Sequence, residues 1–329
     1  MGIKVGALGD AVMDLLLFVD DLDPCLKMER CYPLVSYHFS PGGSSANYAV
    51  ALGRLSIPVT FIGKIGNDAF GKYLLKEFKE NNVDTSYVTI AKDLKTSFAI
   101  ILIDRRSSKR ISLSYWKTYT SLKLEEVNHS FLDEINLLAV SGYTLIQNPL
   151  RNTTIKLLSK AKKRGIITLL DPCPYFSRME LSLLPKILTY VDIITPNYHE
   201  LVTLTKTKSI KKGLKKLKKY GPSILVAKLG ERGCAVLHDD EITLIKGFKV
   251  KVVETGGAGD AFCAGFTYGL IKGLSPSQAG IIGNAIGALA VTGVGSRTRL
   301  PNLDDLKMFL KKYEKSSTLI RSILRKLGW

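Results

Sequence analysis

Seven residues, Glu254-Thr255-Gly256-Gly257-Ala258-Gly259-Asp260, constrain this chain more than any others. Before them, Phe248, Val250, Val252 and Val253 predict a β-strand; after them, the small and apolar run 261–271 predicts a buried helix. The stretch between is therefore a glycine-rich turn opening a helix. Such a start leaves backbone N–H groups without intrahelical partners and carries the positive end of the helix dipole. Glycines let a ligand approach the main chain, so the turn suits phosphate, or the charge that develops as phosphate moves. A carboxylate at Asp260 would repel bound phosphate. It makes chemical sense as a general base that takes a proton from an attacking hydroxyl. Taken alone, the string also fits a plain turn with Asp260 as a capping residue.

The 329 residues allow one large α/β domain or two smaller ones, and 46% hydrophobic content supplies a large core. The net charge of +18 permits an anionic ligand and raises nucleic acid as an alternative partner. Much of the surplus lies in residues 206–219, where Ile210, Leu214 and Leu217 fall on one side and lysines on the other. That pattern predicts an amphipathic helix with a solvated basic face. No nucleic-acid module accompanies it, so no nucleic-acid partner is expected. Cys25, Cys31, Cys173, Cys234 and Cys263 show no paired spacing, which argues for a reducing compartment. His38, His129, His199 and His238 are scattered and suggest no zinc site. Residues 15–19 are too short for a signal peptide, and the uncharged stretch 273–296 is broken by Pro276, Gln278 and Asn284. A cytoplasmic protein without a membrane segment is expected.

In chain order, residues 3–8 predict a first strand ending at Gly9-Asp10, with Asp14 four residues on. Residues 12–18 and 31–39 predict short exposed strands. Ser40-Pro41-Gly42-Gly43-Ser44-Ser45-Ala46-Asn47 opens a helix, and 59–62 is a strand followed by a helix to about 81. Gly66 to Tyr73 nearly fits a P-loop, but Tyr73 stands where Ser or Thr must reach the metal. Segments 97–103 and 111–115 predict a hairpin around a basic turn, Asp104 to Arg110. From 137 onward, strands at 137–140, 166–170, 193–195, 224–227 and 234–237 alternate with helices at 151–164, 178–190, 198–205 and 209–220. This alternation predicts a parallel sheet covered on both faces. Residues 319–329 form a basic amphipathic tail expected to dock on the body.

Gly42-Gly43 with Asn47, Gly66-Asn67-Asp68 with Phe70-Gly71, Asn197-Tyr198-His199-Glu200, and Thr255 to Phe266 occur in one order. Together they resemble the ribokinase-like (PfkB) family of carbohydrate kinases, from Gly9 to about Pro301. The resemblance implies a three-layer α/β/α sandwich with a mostly parallel central sheet and a small β-sheet lid. The kinase domain would span 1–310, with lid segments at about 12–39 and 96–116, and 311–329 would be a basic helical tail. It implies that Asp260 is the catalytic base, with Gly257, Ala258 and Gly259 as the anion hole. Asp14, Gly42, Gly43 and Asn47 would hold sugar hydroxyls. Asn197 and Glu200 would organise Mg²⁺ and phosphate, Glu200 through water. Lys228, Gly230, Gly233 and Asn284 would border the nucleotide. Bland alternatives stand beside these: Asn197 and Glu200 also form a capping box, Gly230 and Gly233 also fit a turn, and Asn284 also fits a satisfied buried amide. Three positions depart from the family pattern. Glu254 stands where the family usually has Asp, at a position that supports a monovalent-cation (K⁺) site; Ser45 replaces a residue that is usually Gly, Ala or Pro; and Asp171-Pro172-Cys173-Pro174 follows a strand end where many members have Asp with Asn or Arg.

The expected activity is transfer of the γ-phosphoryl group of ATP to a sugar hydroxyl. A nucleoside is the alternative acceptor, since Tyr115, Trp116 and Tyr119 would stack a base as readily as they would pack a lid. Arg105, Arg106, Lys109 and Arg110 would either read a phosphate on the sugar or simply solvate a turn. A homodimer formed through the lid is the one protein partner expected. A non-catalytic nucleic-acid-binding protein is the alternative from another class.

Overall fold

In the computed structural model, residues 2–27, 32–107, 109–179 and 181–329 are described. Cys31 and Ser108, both part of the sequence expectations, lie outside them, as does the side chain of Cys25. The chain begins with β1 (Val5–Leu8), β2 (Val12–Val19), α1 (Leu22–Lys27) and β3 (Ser36–Gly42). It continues with α2 (Ser44–Arg54), β4 (Val59–Gly66), α3 (Ala69–Glu80), β5 (Val83–Asp84) and β6 (Val88–Ala91). A hairpin of β7 (Phe98–Asp104) and β8 (Arg110–Tyr115) leads to α4 (Lys117–Thr120). Then come β9 (Leu137–Ser141), α5 (Leu150–Lys163), β10 (Ile167–Asp171), α6 (Pro174–Met179), α7 (Leu184–Leu188) and β11 (Ile193–Ile194). The last part holds α8 (Tyr198–Thr205), α9 (Ile210–Lys218), β12 (Ile224–Lys228), β13 (Cys234–His238) and β14 (Glu241–Ile245). It closes with α10 (Ala258–Ile271), α11 (Pro276–Ala290), α12 (Leu303–Lys311) and α13 (Thr318–Lys326).

The main sheet runs β14-β13-β12-β11-β10-β9-β1-β4-β5, with β6 pairing further along β4. It is parallel from β12 to β4. All four residues of β1 are buried, as a strand covered on both faces requires. Alternation sends Val5 and Ala7 to one core, with α2, α10 and α11, and Leu8 to the other, with α5, α8 and α9. The parallel expectation fails at β13, which runs antiparallel to β12 because only the turn 229–233 joins them. The expected helix 178–190 is instead α6 and α7, because Pro185 near the start of α7 cannot sit inside a continuous helix.

The strand expected around 248–253 is absent. Val252 and Val253 are 57% and 51% exposed, and Phe248 turns to an aromatic cluster with Phe309 and Tyr313 at 5.1 and 4.9 Å. That attraction, with Lys249 and Lys251 seeking water, keeps the segment out of the sheet; only at its end does Val253 N donate, to Val291 O at 2.8 Å.

A second sheet, β3-β2-β7-β8, stands apart as the lid. The expected boundary at 310 falls inside α12. The tail docks on the body: Ile320, Ile323 and Leu324 of α13 are buried, and Trp329 stacks on Tyr268.

Candidate active site

The cleft lies where the lid meets the carboxyl ends of β1, β9 and β10, the usual crevice of an open α/β sheet. Its volume is about 250 Å³, and Asp10, Asp14, Gly43, Asn47, Gly257 and Asp260 are among its walls. The sequence places these residues in three separate segments; the fold brings them to one cavity.

The glycine turn has the conformation its composition predicts. Gly257 caps α10 with φ of 73°, and a Cβ there would lie 2.8 Å from both the Cβ and the carbonyl oxygen of Ser296. Among the described residues, nothing accepts from the N–H groups of Gly257, Gly259 and Asp260. The N–H of Ala258, expected in the anion hole, instead donates to Thr255 O at 3.3 Å, which leaves three free donors at the helix start beside the side chain of Asp260. Lys228, at the end of β12, brings its ammonium over Gly259, 3.2 Å from where a Cβ would be. That ammonium is 2.5 Å from Asp171, whose carboxylate also accepts from Thr195 at 2.7 Å. Burial works against the charge on Lys228, yet Asp171, with Cys263 and Glu200, holds it above the ordinary lysine range.

Asp260 accepts a hydrogen bond from Asn47 Nδ2 at 2.8 Å. Burial pushes its carboxyl up to about 7; Asp171 and Asp10 push the same way, while the Asn47 bond and Lys228 oppose them. Asn47 lies on α2, whose N-terminus is capped from outside by Asp10. The Asp10 carboxylate accepts from Ser44 N at 2.7 Å and Ser45 N at 3.3 Å. The chain enters α2 through Gly43 at φ of 92°, where a Cβ would meet the Asp10 carbonyl oxygen at 2.6 Å. Asp14 reaches the cleft from lid strand β2, packed so closely on Gly42 that a Cβ there would overlap its carboxylate. Burial raises Asp14 to about 7, against the pull of Arg297.

The remaining expected residues divide. Asn197 and Glu200 form a reciprocal capping box on α8, each bond 2.9 Å, so both are engaged in their own helix start. Glu200 is buried and raised to about 7, first by burial and then by Asp171, against the charge of Lys228. Gly230 has φ of 63° in open space, whereas Gly233, at φ of 94°, is pressed against Ile245 and Gly247. Asn284 donates to the carbonyls of Ile245 and Lys246, so its amide is committed to the chain's own backbone. Glu254 accepts from Gly256 N at 3.1 Å and Gly295 N at 2.7 Å, tying the glycine turn to the loop after α11. From the lid, Arg110 reaches Glu254 at 3.5 Å and Thr255 at 3.0 Å.

The aromatic residues expected to stack a base or pack the lid separate, and other cleft residues join them. Trp116, Tyr143 and Tyr175 meet as three rings on one wall, with centroids 4.9 to 6.3 Å apart. Tyr115 turns outward at 40% exposure, and Tyr119 is nearly buried beneath. Arg297, 2% exposed, holds Asn47 from behind. Tyr115, Trp116 and Tyr119 were expected from the sequence, whereas Tyr143, Tyr175 and Arg297 went unread because nothing local marks them.

A family model described as "pfkB family carbohydrate kinase" matches residues 3–303. The chain is 30% identical over 286 residues to 5-dehydro-2-deoxygluconokinase of Clostridium perfringens, covering 82% of this chain and 84% of that one. Among solved structures, ribokinase of Thermotoga maritima superposes with a TM-score of 0.81 at 26% identity, over 94% of this chain and 100% of that one. A fructokinase variant of Vibrio cholerae, solved with fructose, ADP and potassium ion bound, gives 0.77 at 27% identity, over 93% and 98%.

Proposed function

The chain belongs to the pfkB family of carbohydrate kinases, an ATP-dependent kinase acting on a sugar, and on that premise we propose how its residues carry the transfer. Asp260 takes the proton of the sugar hydroxyl, whose oxygen then attacks the γ-phosphorus as the bond to the ADP oxygen breaks. The N–H groups of Gly257, Gly259 and Asp260 receive the charge that gathers on the transferring oxygens, and Ala258 continues the same first turn. The single observation that carries this is the carboxylate of Asp260, fixed by Asn47 at the mouth of three unpartnered backbone donors.

Asp14, Asn47 and the main chain of Gly42 and Gly43 hold the sugar. Lys228 supplies a fixed positive charge beside the phosphates, and the Gly230–Gly233 turn borders the nucleotide. Among the described residues no cluster of three carboxylate, histidine or cysteine side chains suits a protein-held metal. Asn197 and Glu200 would hold Mg²⁺ indirectly, through water, and the ion would supply charge that neutralises the phosphates. Glu254 already receives two N–H groups and Arg110, which supports a loop held without a monovalent cation.

A nucleoside acceptor is a second reading, favoured by the three-ring wall of Trp116, Tyr143 and Tyr175. The buried, free Cys173, Cys234 and Cys263 support work in a reducing compartment such as the cytoplasm. No described helix is long and apolar enough to cross a membrane.

An ADP-release assay over ribose, fructose, 2-keto-3-deoxygluconate, adenosine, cytidine and sugar phosphates tests the reading. At least one sugar is expected to stimulate release strongly over the no-acceptor rate. Stimulation by nucleosides alone would select the second reading; salt-sensitive DNA binding with no stimulation by any acceptor would reject both.

A further inference from the structure

We propose that Arg297 is a positioning residue for phosphoryl transfer: by gripping Oδ1 of Asn47 it keeps the amide nitrogen of Asn47 turned toward the carboxylate of Asp260. This rests on the base role given to Asp260 above.

The oxygen and nitrogen of an asparagine amide are so alike in size that packing does not stop it from turning over. Its neighbours decide. Arg297 carries only donors, so the atom facing its Nε, 2.8 Å away, must be the oxygen. Ser296 Oγ donates to the same oxygen at 3.2 Å. The nitrogen is thereby left to face Asp260. Turned over, the amide would set NH₂ against a guanidinium and oxygen against a carboxylate, two repulsive contacts in place of two bonds.

Arg297 has no freedom of its own. Its Nη1 pairs with buried Glu77, and its Nη2 donates to Gly42 O at 2.7 Å. Its guanidinium lies over the ring of Phe78 at 5.6 Å, and its own carbonyl accepts from Arg54 at 2.9 Å. One rigid fork thus fixes both the amide behind the base and the main chain of the sugar loop.

The protonation of Asp260 reports this arrangement. Asp171 from β10 and Asp10 after β1 oppose its ionisation; Lys228 from β12 and the Asn47 bond favour it. Tyr143 and Cys263 also face it, both kept neutral by burial, and Arg297 stands behind Asn47. Loss of the Asn47 donor leaves the opposing carboxylates in control, so Asp260 holds its proton to higher pH.

Arg297→Lys keeps the charge but cannot serve Asn47, Glu77 and Gly42 together. It is expected to lower kcat about tenfold or more, the effect of one lost hydrogen bond to a charged group, and to move the acid limb of kcat/KM up by about one pH unit. In an Asn47→Leu background the same substitution should leave the limb where Asn47→Leu alone puts it. The pair Arg297→Met with Glu77→Met removes both buried charges, so a shifted limb in that folded protein separates positioning from stability. A normal limb and kcat in folded Arg297→Lys or in the double-Met protein overturns the proposal, as do shifts that simply add to those of Asn47→Leu. If neither Arg297 variant folds, an unmoved limb in Asn47→Leu overturns it. Asp260→Asn keeps the two readings apart: if it stays inactive while the Arg297 variants are normal, only the positioning role falls.

Discussion

At the scale of residues, the proposed chemistry turns on a carboxylate that gives up its proton near neutrality. Asp260 sits at about 7 because burial and the carboxylates of Asp171 and Asp10 outweigh the Asn47 bond and Lys228. A base works only when ionised, so kcat/KM should climb through about pH 7 and level off above it, read from initial rates across pH 5.5–9. Asp260→Asn should lower kcat at least about a hundredfold, the low end for loss of a general base. The same shift has a consequence for stability. A carboxyl raised from 3.8 to about 7 binds its proton more tightly when folded, so stability falls as pH rises between those values. Asp260→Asn should therefore melt higher than the parent at pH 8 and alike near pH 4, by calorimetry.

Which of these residues a sequence reveals follows from how local their partners are. Asp260 announces itself because the glycine turn and helix start it sits on are local, although its hydrogen-bond partner Asn47 lies 213 positions away. Gly43 and Asn47 do so because a glycine pair opens their helix. Arg297 stays silent: its partners Asn47, Glu77 and Gly42 lie 250, 220 and 255 positions away. No spacing along a chain can encode that.

At the scale of elements, the lid and the tail have separable duties. The lid strands turn Asp14, Ala99, Ile101 and Ser112 toward the cleft, and Trp116 follows at the end of β8. Trp116→Ala should raise KM for the acceptor several-fold with a smaller change in kcat, since it removes binding surface and no reacting group. The tail serves stability. Ile323, fully buried, should cost about 2–5 kcal/mol on truncation to alanine, measured by denaturant unfolding, with KM unchanged. Strands with buried neighbours on both sides were legible from their apolar runs, and the lid hairpin from its alternation. The segment near Phe248 was misread because an alternating pattern also suits a chain pulled toward an aromatic cluster. The edge strand β14 went unread, as its mixed polar sequence draws its order from pairing with β13.

At the scale of the whole molecule, the surface says more than the net charge does. The lysines of α9 line the solvent side of a helix whose Leu214 and Leu217 are buried, the solvated face its pattern predicts. The outer face of the lid is different in kind. Strand register aligns Phe39, Leu15, Ile100 and Leu113 in one row across its four strands, and Tyr37, Leu17, Leu102 and Ile111 in the next. Tyr37, Phe39 and Leu113 are 61%, 55% and 59% exposed. A continuous apolar sheet face is a natural seat for a second copy of itself, which supports the homodimer through the lid. Sedimentation should give a dimer for the parent and a monomer for Leu113→Glu.

Asp14 belongs to the lid and Asp260 to the body, yet both line one cavity. If the proposed acceptor site is right, a bound polyol is a strut between two separate sheets, and its length sets which of the two carboxylates it can reach. A polyol too short to span them should then bind through one carboxylate alone and be a poor substrate.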